Sequence, residues 1–107
     1  MTEIEKGSLM LIEYDAQKSQ KNEYERDLSF SEAVEFDFET AFIQPDLRKN
    51  YGEERFQALG YIGERLHMLV FCYRDYALRI ISFRKANARE QRKYENFRRT
   101  ISRSLLR

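Results

Sequence analysis

The alternation of hydrophobic and polar residues is clearest in the second half of the chain. Three stretches follow one another there, from Glu54 to Ile62, from Arg65 to Arg74 and from Tyr76 to Lys85, and each is rich in aliphatic and aromatic residues. The links between them are as short as the dipeptide Gly63-Glu64, which is typical of hairpins between antiparallel neighbours. The pattern therefore predicts a three-stranded antiparallel meander.

A helix is expected to follow the meander. Asn87 can cap its start, and Glu90 three residues later completes an arrangement close to a capping box. The helix should run into an extension over residues 97–107. The apolar positions of the whole helix recur at helical spacing and are Tyr94, Phe97, Ile101 and Leu105.

The pattern in the first half of the chain is weaker but still interpretable. Leu9 to Tyr14 favours a short strand, and Asp15 can cap a polar helix over residues 16–26. Ser29 or Ser31 can cap a second short helix.

Two further stretches complete the first half. Residues 1–8 are expected to be a frayed, flexible start. Phe38 to Ile43 favours another strand, which Pro45 ends, and a polar loop follows. Because 107 residues suffice for one modest core, the whole chain, 1–107, is expected to form a single α+β domain. Its antiparallel sheet should have about four to five strands, packed with two N-terminal helices and a C-terminal helix.

Alternation also predicts which meander residues share a face of the sheet. Arg55, His67, Tyr73 and Arg79 are expected on an outer face, where bases could stack on rings and phosphates could pair with guanidinium groups. The alternative is a second, partly buried face that a partner covers. The residues expected to face the helices are Phe56, Ala58, Met68, Val70, Cys72, Leu78 and Ile80.

Charge is distributed unevenly, although the net charge is only +1. Residues 79–107 carry ten Lys/Arg and two acidic residues, whereas residues 1–78 carry nine Lys/Arg and sixteen acidic residues. The basic end predicts either contact with an anion or a solvated helix face that the acidic half compensates.

Several classes of function are excluded by the motifs that the sequence lacks. It has no glycine-rich phosphate loop, HExxH, CxxC or nucleophile elbow, so no cofactor and no metal are expected. The lone Cys72 rules out an internal disulfide. No signal peptide or membrane-spanning stretch is evident, and a soluble, cytoplasmic protein without membrane contact is expected.

Two features of the meander could carry chemistry. Arg79 and Arg84 interrupt an apolar strand, and a half-buried arginine needs a partner or a functional cleft, which favours phosphate recognition. His67 is either a structural histidine or a general acid or base beside Arg55 and Arg79.

The order of these residues resembles the BrnT family of type II toxins over about residues 10–96. The earlier part of the likeness comprises Ile12-Glu13-Tyr14-Asp15, Lys18, Lys21-Asn22 and Ser29-Phe30-Ser31-Glu32-Ala33. The later part comprises Glu54-Arg55, Gly60, Arg79-Ile80-Ile81-Ser82-Phe83-Arg84 and Arg89-Glu90-Gln91-Arg92-Lys93-Tyr94. One departure is Arg26, which stands where the family commonly has a histidine.

The resemblance implies a RelE-like fold and a ribonuclease that blocks translation by cutting RNA without a metal. It also implies a cognate antitoxin, of the kind that binds operator DNA through a ribbon-helix-helix module. A homodimer or a toxin–antitoxin heterotetramer would fit.

Metal-free RNA cleavage needs a base, cations and a proton donor. The candidate catalytic residues are Arg79, Arg55, Glu54, His67 and Arg84. The candidate RNA-binding residues are Lys18, Lys21, Arg26, Arg89, Arg92 and Tyr73.

Two other classes of function remain open at this point. The first is a non-catalytic module that binds nucleic acid or protein, such as a degenerate toxin that acts only with its antitoxin. The second is a structural subunit buried against another protein.

Overall fold

The computed structural model describes residues 2–7 and 10–105, with side chains from Leu11 to Leu105. Within this part the chain forms six strands, two α-helices and one short 3₁₀ helix. The strands are β1 (Thr2–Gly7), β2 (Met10–Asp15), β3 (Phe42–Pro45), β4 (Phe56–Ile62), β5 (Arg65–Arg74) and β6 (Ala77–Lys85). The helices are α1 (Ala16–Arg26), the 3₁₀ helix (Phe30–Glu35) and α2 (Ala88–Leu105).

The strands form one mixed sheet in the order β1-β2-β6-β5-β4-β3. The meander is confirmed, since β4, β5 and β6 are antiparallel neighbours. The expectation of a purely antiparallel sheet is wrong, because β2 pairs in parallel with β6. Beside the five strands β2 to β6, β1 forms a sixth strand at one edge of the sheet, next to β2.

Three of the predicted elements need correction. The strand expected over Phe38–Ile43 begins only at Phe42, because the Asp37 carboxylate accepts hydrogen bonds from the backbone of Glu39 and Thr40 and holds a turn there. The frayed start expected over residues 1–8 contains β1, and residues 1, 8 and 9 lie outside the described residues.

The third correction concerns the second N-terminal helix. It is a 3₁₀ segment, which Ser29 caps in a complete capping box with Glu32. The first helix, α1, has the predicted bounds and its Asp15 cap.

Hydrophobic residues are buried on both faces of the sheet. On the face that we call the α1 face, α1 and the 3₁₀ helix cover a cluster that includes Leu69, Phe71 and Phe83. On the opposite face, the α2 face, Tyr94 of α2 packs in a second cluster with Met68 and other residues. The outer, open sheet face of the sequence interpretation is therefore absent from the described part of the chain.

The predicted grouping of residues by face was wrong because it missed the strand register. The two-residue turn pairs Ile62 with Arg65, so even-numbered residues of β4 lie opposite odd-numbered residues of β5. Ala58 thus shares the α1 face with Leu69, whereas Met68 packs under α2.

A β-bulge changes the alternation again within β6. Val70 pairs with Ser82 and Phe71 with Ile80, so Ile81 is an extra residue without a partner in β5. As a result Ile81 and Ser82 both lie toward the α2 face, and this places a hydroxyl in the middle of that face.

The start of α2 is fixed by its cap, and most of its residues after Phe97 are exposed. The Asn87 side chain accepts from the Glu90 backbone and Glu90 accepts from the Asn87 backbone, which confirms the predicted cap. The Tyr94 hydroxyl donates a hydrogen bond to the Thr40 carbonyl, and Phe97 stacks on Phe42 with ring centroids 4.1 Å apart. Neither helix in the described part has the length and apolar content that crossing a membrane requires.

Candidate nucleic-acid interface

A cleft on the α2 face lies over the middle of the sheet, and we call it the Ser82 cleft. It has a volume of about 240 Å³, and its floor comes from β5 and β6 while Arg48 and α2 supply its walls. Its mostly polar lining contrasts with the apolar cluster beside it. The lining residues are Arg48, Gln57, Met68, Val70, Ser82, Arg84 and Glu90.

A second depression, the α1 groove, meets the Ser82 cleft at Ser82. It has a volume of about 230 Å³ and lies between α1 and β6. Three of its residues, Lys18, Lys21 and Arg26, are exposed cations that were predicted to bind RNA. The groove is lined by Lys18, Lys21, Asn22, Glu25, Arg26, Phe30, Ile81 and Ser82.

Asn22 holds α1 against the edge of β6. The parallel pairing of β2 with β6 ends at Arg79, and beyond that point α1 takes the place of a strand. The buried Asn22 side chain donates hydrogen bonds of 2.9 Å to the carbonyls of Phe83 and Leu28. The Asn22 side-chain oxygen accepts a hydrogen bond from Arg26. Arg26, which stands where a histidine was expected, therefore supports α1 and also lines the groove.

Arg84 is fixed at the wall of the Ser82 cleft by α2. Its guanidinium group donates two hydrogen bonds, of 2.8 and 2.9 Å, to the two carboxylate oxygens of Glu90. This contact raises the pKa of Arg84 and lowers that of Glu90. Such a fork-to-fork pair holds the arginine in one orientation.

Arg48 reaches the cleft from the loop between β3 and β4. The buried Asp46 accepts two hydrogen bonds from it, of 2.7 and 2.8 Å. The same contact holds the pKa of Asp46 far below its ordinary value. The sequence did not single out Arg48, because a loop residue shows no periodicity that could indicate its orientation.

Arg79 lies on the α2 face and forms an ion pair with Glu13, its direct neighbour in the β2–β6 register. The side chains are 20% and 16% exposed, so solvent still reaches both. The expectation that a half-buried arginine must have a partner is confirmed for Arg79 and for Arg84.

His67 lies on the other face of the sheet, and its predicted convergence with Arg79 is wrong. The ring is buried, 5.5 Å from the Phe83 ring, and Nδ1 lies 2.9 Å from the Arg65 carbonyl. Burial lowers the His67 pKa, so the ring is neutral near pH 7. The pairing of β5 with β6 separates it from the arginines, since His67 lies opposite Lys85.

Arg55 and Glu54 lie before β4, beside a separate cavity of about 310 Å³ in the loop of residues 45–56. Arg55 pairs with Glu53 at 3.1 Å and stacks over the Tyr51 ring at 4.0 Å. Glu54 is exposed at the same cavity. Neither residue lines the Ser82 cleft.

The remaining predicted RNA-binding residues lie away from both depressions. Arg89 and Arg92 are exposed on α2, and Tyr73 is 61% exposed at the end of β5, against Phe56 and Phe71. Among the described residues, no group of three or more potential ligands is placed to hold a metal ion.

The fold and the cleft define a small α+β protein with a depression across one sheet face that is lined by Arg48 and Arg84. Residues 14–90 match the family described as "Ribonuclease toxin, BrnT, of type II toxin-antitoxin system". The chain belongs to this BrnT family, as its resemblance had predicted, and membership implies an antitoxin partner. Comparisons with curated proteins and with solved structures gave no match.

Proposed function

We propose that this chain is an endoribonuclease toxin whose RNA substrate lies across the Ser82 cleft and the α1 groove. The observation that carries this proposal is that Ser82 lines both depressions, and that Lys or Arg side chains also line each of them. A groove of this kind suits a single-stranded backbone, because phosphates can pair with successive Lys and Arg side chains.

In this proposal the fixed guanidinium groups do most of the catalytic work. Arg84 and Arg79 would hold the scissile phosphate and stabilise the charge that develops on it, without a metal ion. Arg48, which sequence reasoning missed, would contact the same or the next phosphate. The ion pairs with Glu90 and Glu13 hold both arginines in place before substrate arrives.

Other predicted site residues take lesser parts. Arg55 and Glu54 would contact RNA that extends past the cleft toward the loop cavity. His67 is buried beneath the sheet and would act by supporting the fold. Arg89, Arg92 and Tyr73 would contribute only if the RNA is long.

The biological role follows from the family. Cleavage of RNA would inhibit translation and growth in the cytoplasm, until the antitoxin covers the toxin. We propose a ribbon-helix-helix antitoxin that carries the operator-binding function, in a heterotetramer with two toxin chains. The RelE-like nature of the fold stays a prediction.

A cleavage assay with purified protein tests the proposal. End-labelled single-stranded RNA is incubated with the chain in the presence of EDTA, and we expect discrete products. Arg84→Ala should remove most of this activity, while Arg103→Ala, which removes an exposed arginine near the end of α2, should leave it unchanged. Intact RNA after prolonged incubation with folded wild-type protein would contradict the proposal.

A non-catalytic RNA-binding module is the second candidate. The observation that favours it is that Arg48, Arg55, Arg79 and Arg84 each have a carboxylate partner, which reduces the positive charge available for catalysis. This candidate predicts binding that weakens steeply with salt and yields no product.

A further inference from the structure

The carboxylates that pair with Arg48, Arg79 and Arg84 differ in how many of their oxygens accept hydrogen bonds. Both oxygens of Glu90 accept hydrogen bonds from Arg84, and one also accepts from the Asn87 backbone. Both oxygens of Asp46 accept from Arg48. These two carboxylates therefore position their arginines and have little capacity to accept a further proton.

Glu13 is different, because only its Oε1 accepts a hydrogen bond, from Arg79. Within the described part of the chain, Oε2 has no hydrogen-bond partner. The side chain is 16% exposed, so part of it remains accessible to a bound molecule.

The position of Glu13 also suits contact with RNA. Its pair with Arg79 is the last of the β2–β6 ladder, and α1 begins three residues later at Ala16. The pair thus stands where α1 takes over the edge of β6, outside the lining of the α1 groove. On β6, Arg79 precedes Ser82 by three residues, a strand distance of roughly 10 Å.

We infer that Glu13 is the general base of RNA cleavage in this protein. The inference rests on the proposed ribonuclease function and replaces Glu54 and His67 as the candidate base. Glu54 lies at the separate loop cavity, and His67 is buried on the opposite face of the sheet.

The reaction takes the following course. Oε2 of Glu13 accepts the proton of a ribose 2′-hydroxyl, and O2′ forms a bond to the adjacent phosphorus, whose charge Arg79 stabilises. The bond from phosphorus to O5′ breaks, its electron pair stays on O5′, and O5′ takes a proton from water. The products are a 2′,3′-cyclic phosphate and a 5′-hydroxyl, without any oxidant or metal.

Three charged residues lie near Glu13 in the sheet or in the sequence. Arg79 faces it from β6, Asp15 follows two residues along β2 on the same face, and Lys18 lies in the first turn of α1. Asp15 is occupied as the cap of α1, where its oxygen accepts from the backbone of Gln17 and Lys18.

The experiment measures single-turnover cleavage of a short RNA by wild type, Glu13→Gln, Glu13→Asp and the exposed control Glu23→Gln. A general base contributes about 10²–10⁴-fold, so Glu13→Gln should slow cleavage by about that factor, with RNA affinity within a few-fold of wild type. Glu13→Asp should recover part of the rate, and Glu23→Gln should match wild type.

The outcomes separate the base from the ribonuclease function. Absence of cleavage by the wild type refutes the proposed function itself. Cleavage by Glu13→Gln at the wild-type rate leaves the function standing and overturns the role of Glu13. If Glu13→Gln does not fold, products that carry a 3′-phosphate formed without a cyclic intermediate overturn the role instead.

Discussion

Replacing Asn22 by alanine tests how α1 is fastened to the sheet. The substitution leaves the carbonyls of Leu28 and Phe83 without their side-chain donor in a buried setting. A buried polar group that loses its partner costs about 1–3 kcal/mol. Because the two losses are not fully additive, we expect the free energy of unfolding to fall by about 2–4 kcal/mol, a large part of the about 5–15 kcal/mol typical of a domain.

Urea unfolding followed by circular dichroism measures this change, with Gln20→Ala as the matched control on the exposed side of α1. The control should change stability by less than about 0.5 kcal/mol. A second variant, Asn22→Asp, keeps the acceptor for Arg26 but removes both donors, so it should also destabilise. If Asn22→Ala unfolds within about 0.5 kcal/mol of wild type, the hydrogen bonds to β6 do not fasten α1 and the reasoning fails.

Three further predictions concern the site and the core. Induction of Arg79→Ala should no longer arrest growth, whereas Arg103→Ala should arrest it fully, and full toxicity of the first variant would exclude Arg79 from the site. Gly60→Ala should destabilise by about 1–3 kcal/mol in urea unfolding, because its Cβ would lie 2.5 Å from the Phe36 ring; an unchanged midpoint would contradict this close packing. Arg84 lowers the pKa of Glu90 below its ordinary value of 4.5, so the ionised carboxylate stabilises the fold above pH 4.5 and this contribution is lost as the pH falls further. The difference in free energy of unfolding between wild type and Glu90→Gln should therefore become smaller in acid. A difference that stays constant with pH would contradict this linkage.

The local parts of the fold were predictable from the sequence. Turn residues and alternation located β5 and the two hairpins, and capping residues located both α-helices. These signals act over a few residues, so a single sequence carries them. The parallel pairing of β2 with β6 joins residues more than sixty positions apart, such as Glu13 and Arg79, and no local pattern indicates it.

The face assignment failed for a similarly physical reason. Strand alternation shows which residues of one strand share a face, but the register between strands decides how two such sets combine. The pairing of Ile62 with Arg65 and the extra residue Ile81 each change that combination. Consequently the expectation that Arg79 and Arg84 need a partner or a cleft is confirmed, while His67 was wrongly placed beside Arg79.

The distribution of charge now has a structural interpretation. The basic excess after residue 79 suggested an anion-binding end of the chain, yet Arg79 and Arg84 are paired with acidic side chains in the structure. The exposed cations beside the cleft come from α1, which lies in the acidic part of the sequence. Net charge along a segment therefore does not by itself locate the proposed binding surface.

In the proposed arrangement, Lys18 and Lys21 would supply the attraction for RNA, and the paired arginines would orient it. Removing both lysines should weaken RNA binding and reduce its salt dependence, because each phosphate contact contributes about −0.7 to the slope of log affinity against log salt for single strands. Removing an arginine should instead slow cleavage more than it weakens binding, since a group fixed by a carboxylate acts mainly where charge develops in the transition state. The two classes of cation can thus be distinguished by comparing binding with rate in the same set of variants.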